Sequence, residues 1–168
     1  MSWPMSEALL VADSGPLIAL ARLDLLSLPS RLYREALVTA TVWYEVTCEP
    51  SRSEFPALDS ALRVGQLRLV DDPPEFPPLL ARARLDPGER SAIALALAQG
   101  AAVLVDERRG RAVANGLGLN VVGTLGLLVR ARDAGLVAKV RPLAEALPHG
   151  GYHLALPLVA HTLAAIGE

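Results

Sequence analysis

Four acidic residues are the side chains of this sequence best placed to do chemistry. Asp13 closes the apolar run ALLVA and leads into Ser14-Gly15-Pro16, and Asp106 closes AAVLV and leads into ERRGR. In an open parallel sheet, ligands gather beyond the carboxyl ends of the strands, so an acid at such an end is a candidate ligand or catalyst. Both aspartates also fit a plainer role, because Asp is among the preferred helix N-cap residues and each stands at a strand-to-helix turn. Glu89 fits that role better still. In Asp86-Pro87-Gly88-Glu89, Asp86 suits the N-cap, Pro87 the first helical position and Glu89 the third, which is a variant of the capping box. Glu45 interrupts the apolar run Val42-Trp43-Tyr44-Glu45-Val46; its plain alternative is the solvated side of a short helix, with Glu49 one turn on.

Taken together, the four have a common physical requirement. Two carboxylates about 5 Å apart at an effective dielectric near 20 repel by roughly 3 kcal/mol, so a cluster of three or four needs a cation or raised pKa values. Oxygen-only ligation suits Mg²⁺ or Mn²⁺, which keep several waters and accept phosphate oxygens as further ligands. Such an ion supplies an activated water for in-line attack on phosphorus, and no side-chain nucleophile is then required.

The elements that must position these acids are legible as short apolar runs alternating with longer amphipathic ones, the pattern of βα units and a mostly parallel sheet. Strands are predicted at 8–12, 36–38, 66–70, 101–105 and 119–122. Helices are predicted at about 14–26, after Thr41, at 89–99 with Gly100 as the stop, and at roughly 107–117 and 124–134. This is an α/β chain, a three-layer sandwich. PSRSEFP at 50–56 and DDPPEFPPLL at 71–80 read as surface loops inside one domain spanning 1–168. From about Val137 the chain reads as a C-terminal extension of two helices separated by HGGY. Leu154, Leu158, Val159, Leu163 and Ile166 give the last helix an apolar face, which predicts packing on the core, a homodimer or a bound partner.

The totals narrow the alternatives. At 168 residues, with 52% hydrophobic and 20% charged, the chain has enough apolar matter for one core and is not of disordered composition. Its only cysteine, Cys48, rules out an intramolecular disulfide or a cysteine-based zinc site. MSWPMSEALLVADSG has no basic n-region, and the apolar stretch 92–105 is broken by Gln99 and Gly100, so neither a secretory signal nor a membrane span is predicted and a cytoplasmic location fits best. A net charge of −2 means that any nucleic-acid contact rests on a local patch.

The strings VADSGPLIAL, TVWYEVT and LDPGERSAIALALAQGAAVLVDERRGRAVANGLGLNVVGTLGLLVRARDAGLV resemble the PIN-domain superfamily, and most closely its uncharacterised prokaryotic branch related to VapC-type toxin ribonucleases. The resemblance runs from about Val11 to Gly167 with its blocks in family order. It implies a five-stranded parallel sheet of order 3-2-1-4-5, with Asp13 and Asp106 as neighbours. It also implies that Asp13, Glu45, Glu89 and Asp106 are the family's four acids, catalytic and metal-ligating, with Ser14 as a hydrogen-bonding companion. The implied activity is Mg²⁺- or Mn²⁺-dependent endoribonucleolytic cleavage of RNA. In the toxin branch a small antitoxin protein holds the enzyme inactive. Many PIN toxins have Asp at the third place and a Thr or Ser shortly before the fourth acid; this chain has Glu89 and Val103-Leu104-Val105.

Arg108, Arg109 and Arg111 follow Asp106, and Arg130 and Arg132 lie on the next helix; Arg matches phosphate geometry, while a solvated helix face is the plain alternative. Thr124 reads as an N-cap. Trp43 and Tyr44 read as core residues rather than base-stacking ones, and His149, His153 and His161 lack zinc spacing. Two rival functions remain. A catalytically weak PIN-like module would bind RNA or protein without turnover. An aspartyl phosphotransfer enzyme would use Asp13 or Asp106 as acceptor with Thr124 and Lys139, but Asp71-Asp72 precedes the lysine and the opening is Asp-Ser-Gly, the wrong order for that chemistry.

Overall fold

The protein's fold is taken from a computed structural model that describes residues 6–168. The reading of the first five residues as no part of a secretory signal therefore lies outside the described residues. Strand β1 (Ser6–Ala12) is central because Leu10, Val11 and Ala12 are all fully buried, as a strand covered on both faces must be. It pairs in parallel with β2 (Tyr33–Thr39) on one side and with β4 (Ala102–Leu104) on the other. Beyond these lie β3 (Arg68–Val70) and β5 (Val121–Val122), giving five parallel strands in the order β3-β2-β1-β4-β5. With helices on both faces, the architecture is the three-layer α/β/α sandwich that the apolar alternation predicts.

Register decides which strand ends meet. Ala12 lies opposite Leu104, so the residue after β1 and the second residue after β4 emerge side by side at one edge of the sheet. The helices that follow these strands are α1 (Ser14–Arg22) and α7 (Arg108–Gly116), while α8 (Thr124–Asp133) follows β5. Two more helices reach the same edge: α3 (Ala40–Thr47), whose N-cap Thr39 accepts from the Val42 N–H at 3.1 Å, and α6 (Pro87–Gln99), which ends at Gly100 in the left-handed conformation at φ 62. The inner face of α6, with Ala92, Ile93 and Ala96 wholly buried, packs against the sheet.

Several boundaries differ from those predicted. The first helix stops at Arg22 instead of running to 26, because Asp24 takes a left-handed φ of 56, a conformation Asp tolerates better than most residues, and a separate helix α2 (Leu28–Leu32) follows. The two proline-rich stretches read as loops each lead into a helix, α4 (Phe55–Arg63) and α5 (Pro78–Arg82). Pro56 and Pro78 sit in the first turn, where the missing N–H has no helical acceptor to lose. The C-terminal pair is α9 (Arg141–His149) and α10 (Leu156–Ala165), separated at HGGY as predicted. Leu163 is buried and Leu154, Val159 and Ile166 pack against the core, whereas Leu156 is 77% and Leu158 51% exposed. Among the described residues no helix is long and apolar enough to cross a membrane.

Candidate active site

Asp13 is held at the sheet edge by its own backbone: its N–H donates to the Leu104 carbonyl at 3.0 Å, extending the β1–β4 ladder one residue beyond Ala12. The side chain is buried, and although Asp13 occupies the N-cap position of α1 its carboxylate makes no capping hydrogen bond. Asp106 does not cap the helix that follows it either, since Glu107 takes that position in α7. Its carboxylate reaches instead across to α8. Oδ1 accepts from the Thr124 N–H at 2.7 Å, and Oδ2 accepts from the Thr124 hydroxyl at 2.5 Å and from the Tyr152 hydroxyl. Thr124 is thus not an N-cap but the first residue of a helix whose positive end faces Asp106.

Glu45 projects from α3 into the same edge. Its Oε2 accepts from the Ser14 hydroxyl and its Oε1 from the Gly88 N–H at 2.8 Å. A Cβ at position 88 would overlap that carboxylate, so only glycine lets the backbone approach so closely. The solvated-face alternative belongs to Glu49, which is exposed and pairs with Arg52 at 2.9 Å. Glu89, in the first turn of α6, is 5% exposed, and its Oε1 has no hydrogen-bond partner. A Cβ on Gly110 of α7 would overlap this same oxygen. The capping box is only half made, since Asp86 forms no side-chain cap while the Asp86 backbone acts on Glu89. An unpaired buried acceptor costs about 1–3 kcal/mol.

The electrostatics link the four. Burial pushes the Asp13 carboxyl up from 3.8 to about 7; the Ser14 backbone N–H opposes the rise, and Glu89, Glu45 and Asp106 add to it. Burial likewise raises Glu89, with Asp86 and Glu107 adding and Arg109 opposing. All four acids line one cleft of about 900 Å³. Val122, Leu125, Leu154 and Leu158 form its apolar side.

Of the predicted phosphate ligands, Arg108 and Arg111 line this cleft; Arg111 also donates to the Val105 carbonyl at 3.1 Å. Arg109 does not line it and donates to the Arg84 carbonyl at 3.2 Å. Arg130 also lines it while donating to the Tyr33 hydroxyl, and Arg132 is turned to Asp133 and Glu168. Trp43 packs on the core as predicted, but Tyr44 is 70% exposed. Among the histidines only His153 lines the cleft. Exposed Lys139 lies outside it, which leaves the phosphotransfer alternative without its cation. The residue that sequence reasoning missed is Tyr152; an aromatic inside the glycine break HGGY was its only signal. Burial and the adjoining Asp106 push its phenol upward, so it stays a hydrogen-bond donor at neutral pH.

Residues 9–168 match the family model described as DUF3368, PIN domain. The chain belongs to the PIN-domain family. Two solved structures share the fold. A PilT N-terminus domain protein, SSO1118, from the hyperthermophilic archaeon Sulfolobus solfataricus P2 is 19% identical, with a TM-score of 0.53 over 72% of this chain and 91% of that one. PAE2754 from Pyrobaculum aerophilum is 18% identical, with a TM-score of 0.54 over 78% and 94%. No curated protein is a significant match. PIN domains include nucleases and typically use divalent metals.

The donor chemistry of this PIN domain suits such an ion, with oxygen ligands only and, at Glu89, a buried oxygen lacking any donor. The sequence reading put all four acids on one ion; among the described residues no three His, Cys, Asp or Glu side chains are gathered tightly enough for that. Glu45 and Asp106 are each held by hydrogen-bond donors of their own. Mg²⁺ needs less, since it is usually bound through one or two carboxylates and completes its shell with water and substrate phosphate.

Proposed function

We propose that this PIN domain is a Mg²⁺- or Mn²⁺-dependent endoribonuclease that hydrolyses RNA phosphodiester bonds. Asp13, Glu45, Glu89 and Asp106 would hold the ion, directly or through water. The observation that carries this reading is the placing of four carboxylates on one cleft, with Asp13 raised to about 7 and a Glu89 oxygen unpaired. Both features are costs in the metal-free protein that a divalent cation would remove. When bound, the ion supplies an acidified water for in-line attack and neutralises charge on the leaving oxygen. Ser14 and the Gly88 N–H keep Glu45 turned inward, and Thr124 and Tyr152 do the same for Asp106. Arg108 and Arg111, on the rim, are suited to gripping the phosphates that flank the scissile bond.

By the same reading the protein works in the cytoplasm, as the toxin of a toxin–antitoxin pair. A homodimer or a small antitoxin covers the exposed Leu156 and Leu158 of α10. A second reading, a PIN module that binds RNA without turnover, is favoured by one observation, the absence of a tight carboxylate trio among the described residues. Incubation of several RNAs with Mn²⁺ or Mg²⁺ separates the two. Cleavage by the wild type that EDTA, Asp13→Asn and Glu89→Gln each abolish supports the nuclease. RNA binding without any such cleavage supports the module.

A further inference from the structure

We propose that Tyr152 is a positioning residue for Asp106, carried to the cleft by a strap of the C-terminal extension, and that its hydroxyl fixes how Asp106 meets a divalent ion. The inference rests on the metal-dependent reading given above and adds a residue to it. A carboxylate has about four lone-pair directions. Three of those on Asp106 are taken, one on Oδ1 by the Thr124 N–H and two on Oδ2 by the hydroxyls of Thr124 and Tyr152. What remains is a single direction on Oδ1, the one that Asp106 would offer to an ion while the three donors stay in place.

The strap is anchored independently of the acids. It joins α9 to α10 without regular structure, and its turn is closed by the Gly151 N–H on the Pro148 carbonyl at 2.9 Å and the Tyr152 N–H on the Leu147 carbonyl at 3.1 Å. Arg22 of α1 donates to the Gly150 carbonyl and is itself held at 2.6 Å by the buried carboxylate of Glu54. The Tyr152 ring lies over the start of α1, where a Cβ on Gly15 would stand 3.3 Å from the phenol oxygen. A side chain on a loop thus reaches the one acid it bonds through two fixed supports, the geometry of an outer-sphere partner that orients a metal ligand.

The test is the Mn²⁺ dissociation constant of the full chain, read by titration calorimetry or by the EPR signal of free Mn²⁺, together with the melting temperature in EDTA. Removing an outer-sphere partner weakens metal binding by about 10–100-fold, and Tyr152→Phe is expected to do so while the EDTA melting temperature stays close to that of the wild type. Gly15→Ala, which pushes the phenol without deleting it, should weaken Mn²⁺ in the same direction by a smaller factor. Tyr152→Phe binding Mn²⁺ as tightly as the wild type, or more tightly, overturns the proposal. If that occurs while Asp13→Asn and Glu89→Gln still abolish binding, only the role of Tyr152 falls. If the wild type binds no Mn²⁺, the metal-dependent reading falls with it.

Discussion

Replacing Asp13 by Asn should make the metal-free protein more stable at alkaline pH. Asp13 titrates at about 7 in the folded protein against 3.8 without the fold. For an acid raised in this way, folding is unaffected below about 4, where both states are protonated. It is penalised progressively as pH rises towards 7, where the folded state must give up its proton. At 1.36 kcal/mol per pH unit the full difference is about 4 kcal/mol. Because the neighbouring acids readjust their own protonation, we expect about 2–4 kcal/mol at pH 8. Asn has nearly the same shape, is an equally good N-cap and keeps an oxygen that can accept from the Ser14 N–H. For a chain of this size, about 2–4 °C per kcal/mol predicts a rise in melting temperature of about 4–16 °C. Calorimetric unfolding in EDTA at pH 4, 6 and 8 measures it. The gap should be negligible at pH 4 and widen with pH, while excess Mg²⁺ should stabilise the wild type and leave Asp13→Asn unchanged. A mutant no more stable than the wild type at pH 8, or a gap independent of pH, would refute the electrostatic reasoning.

The same shift predicts that Mn²⁺ binding tightens as pH rises towards about 7 and levels off above it, because the ion competes with the Asp13 proton; calorimetric titration at several pH values checks this, and a flat profile is the contrary result. Gly110→Ala should lower Mn²⁺ affinity about tenfold, since the new Cβ displaces the Glu89 carboxylate and stands 3.1 Å from the buried Val105 side chain; unchanged binding would show that the Glu89 oxygen is not used. Arg108→Ala, at an exposed rim residue, should raise KM about fivefold, roughly 1 kcal/mol, with kcat retained. A fall in kcat alone would place Arg108 in the reaction itself.

The sheet was readable because its central strands are buried on both faces: the runs ALLVA and AAVLV cannot lie anywhere but inside, and the acids that end them, Asp13 and Asp106, mark the ligand edge. The helix break at Asp24 was not readable, because a left-handed turn at an aspartate leaves no trace in apolar spacing. Nor were α4 and α5, where proline signals a loop and a helix start equally well. At the site, local rules gave plausible caps for Asp13, Asp106 and Glu89; Asp13 keeps the N-cap position without a side-chain cap, Glu89 keeps its contact with the Asp86 backbone, and Asp106 caps nothing in α7. A tertiary contact overrode the local rule at Asp106, which serves a helix 18 positions further on through Thr124. Tyr152 is 46 positions from Asp106 and belongs to no periodic pattern, so nothing short of the fold could bring the two together.

Whether the acids hold a divalent ion is decided by an anomalous-scattering map from a crystal soaked in Mn²⁺. A peak is expected in the acidic cleft, within bonding reach of Asp13 and Glu89, and Asp13→Asn should remove it. A cleft without a peak at saturating Mn²⁺, or a peak elsewhere on the molecule alone, would overturn the metal-dependent reading.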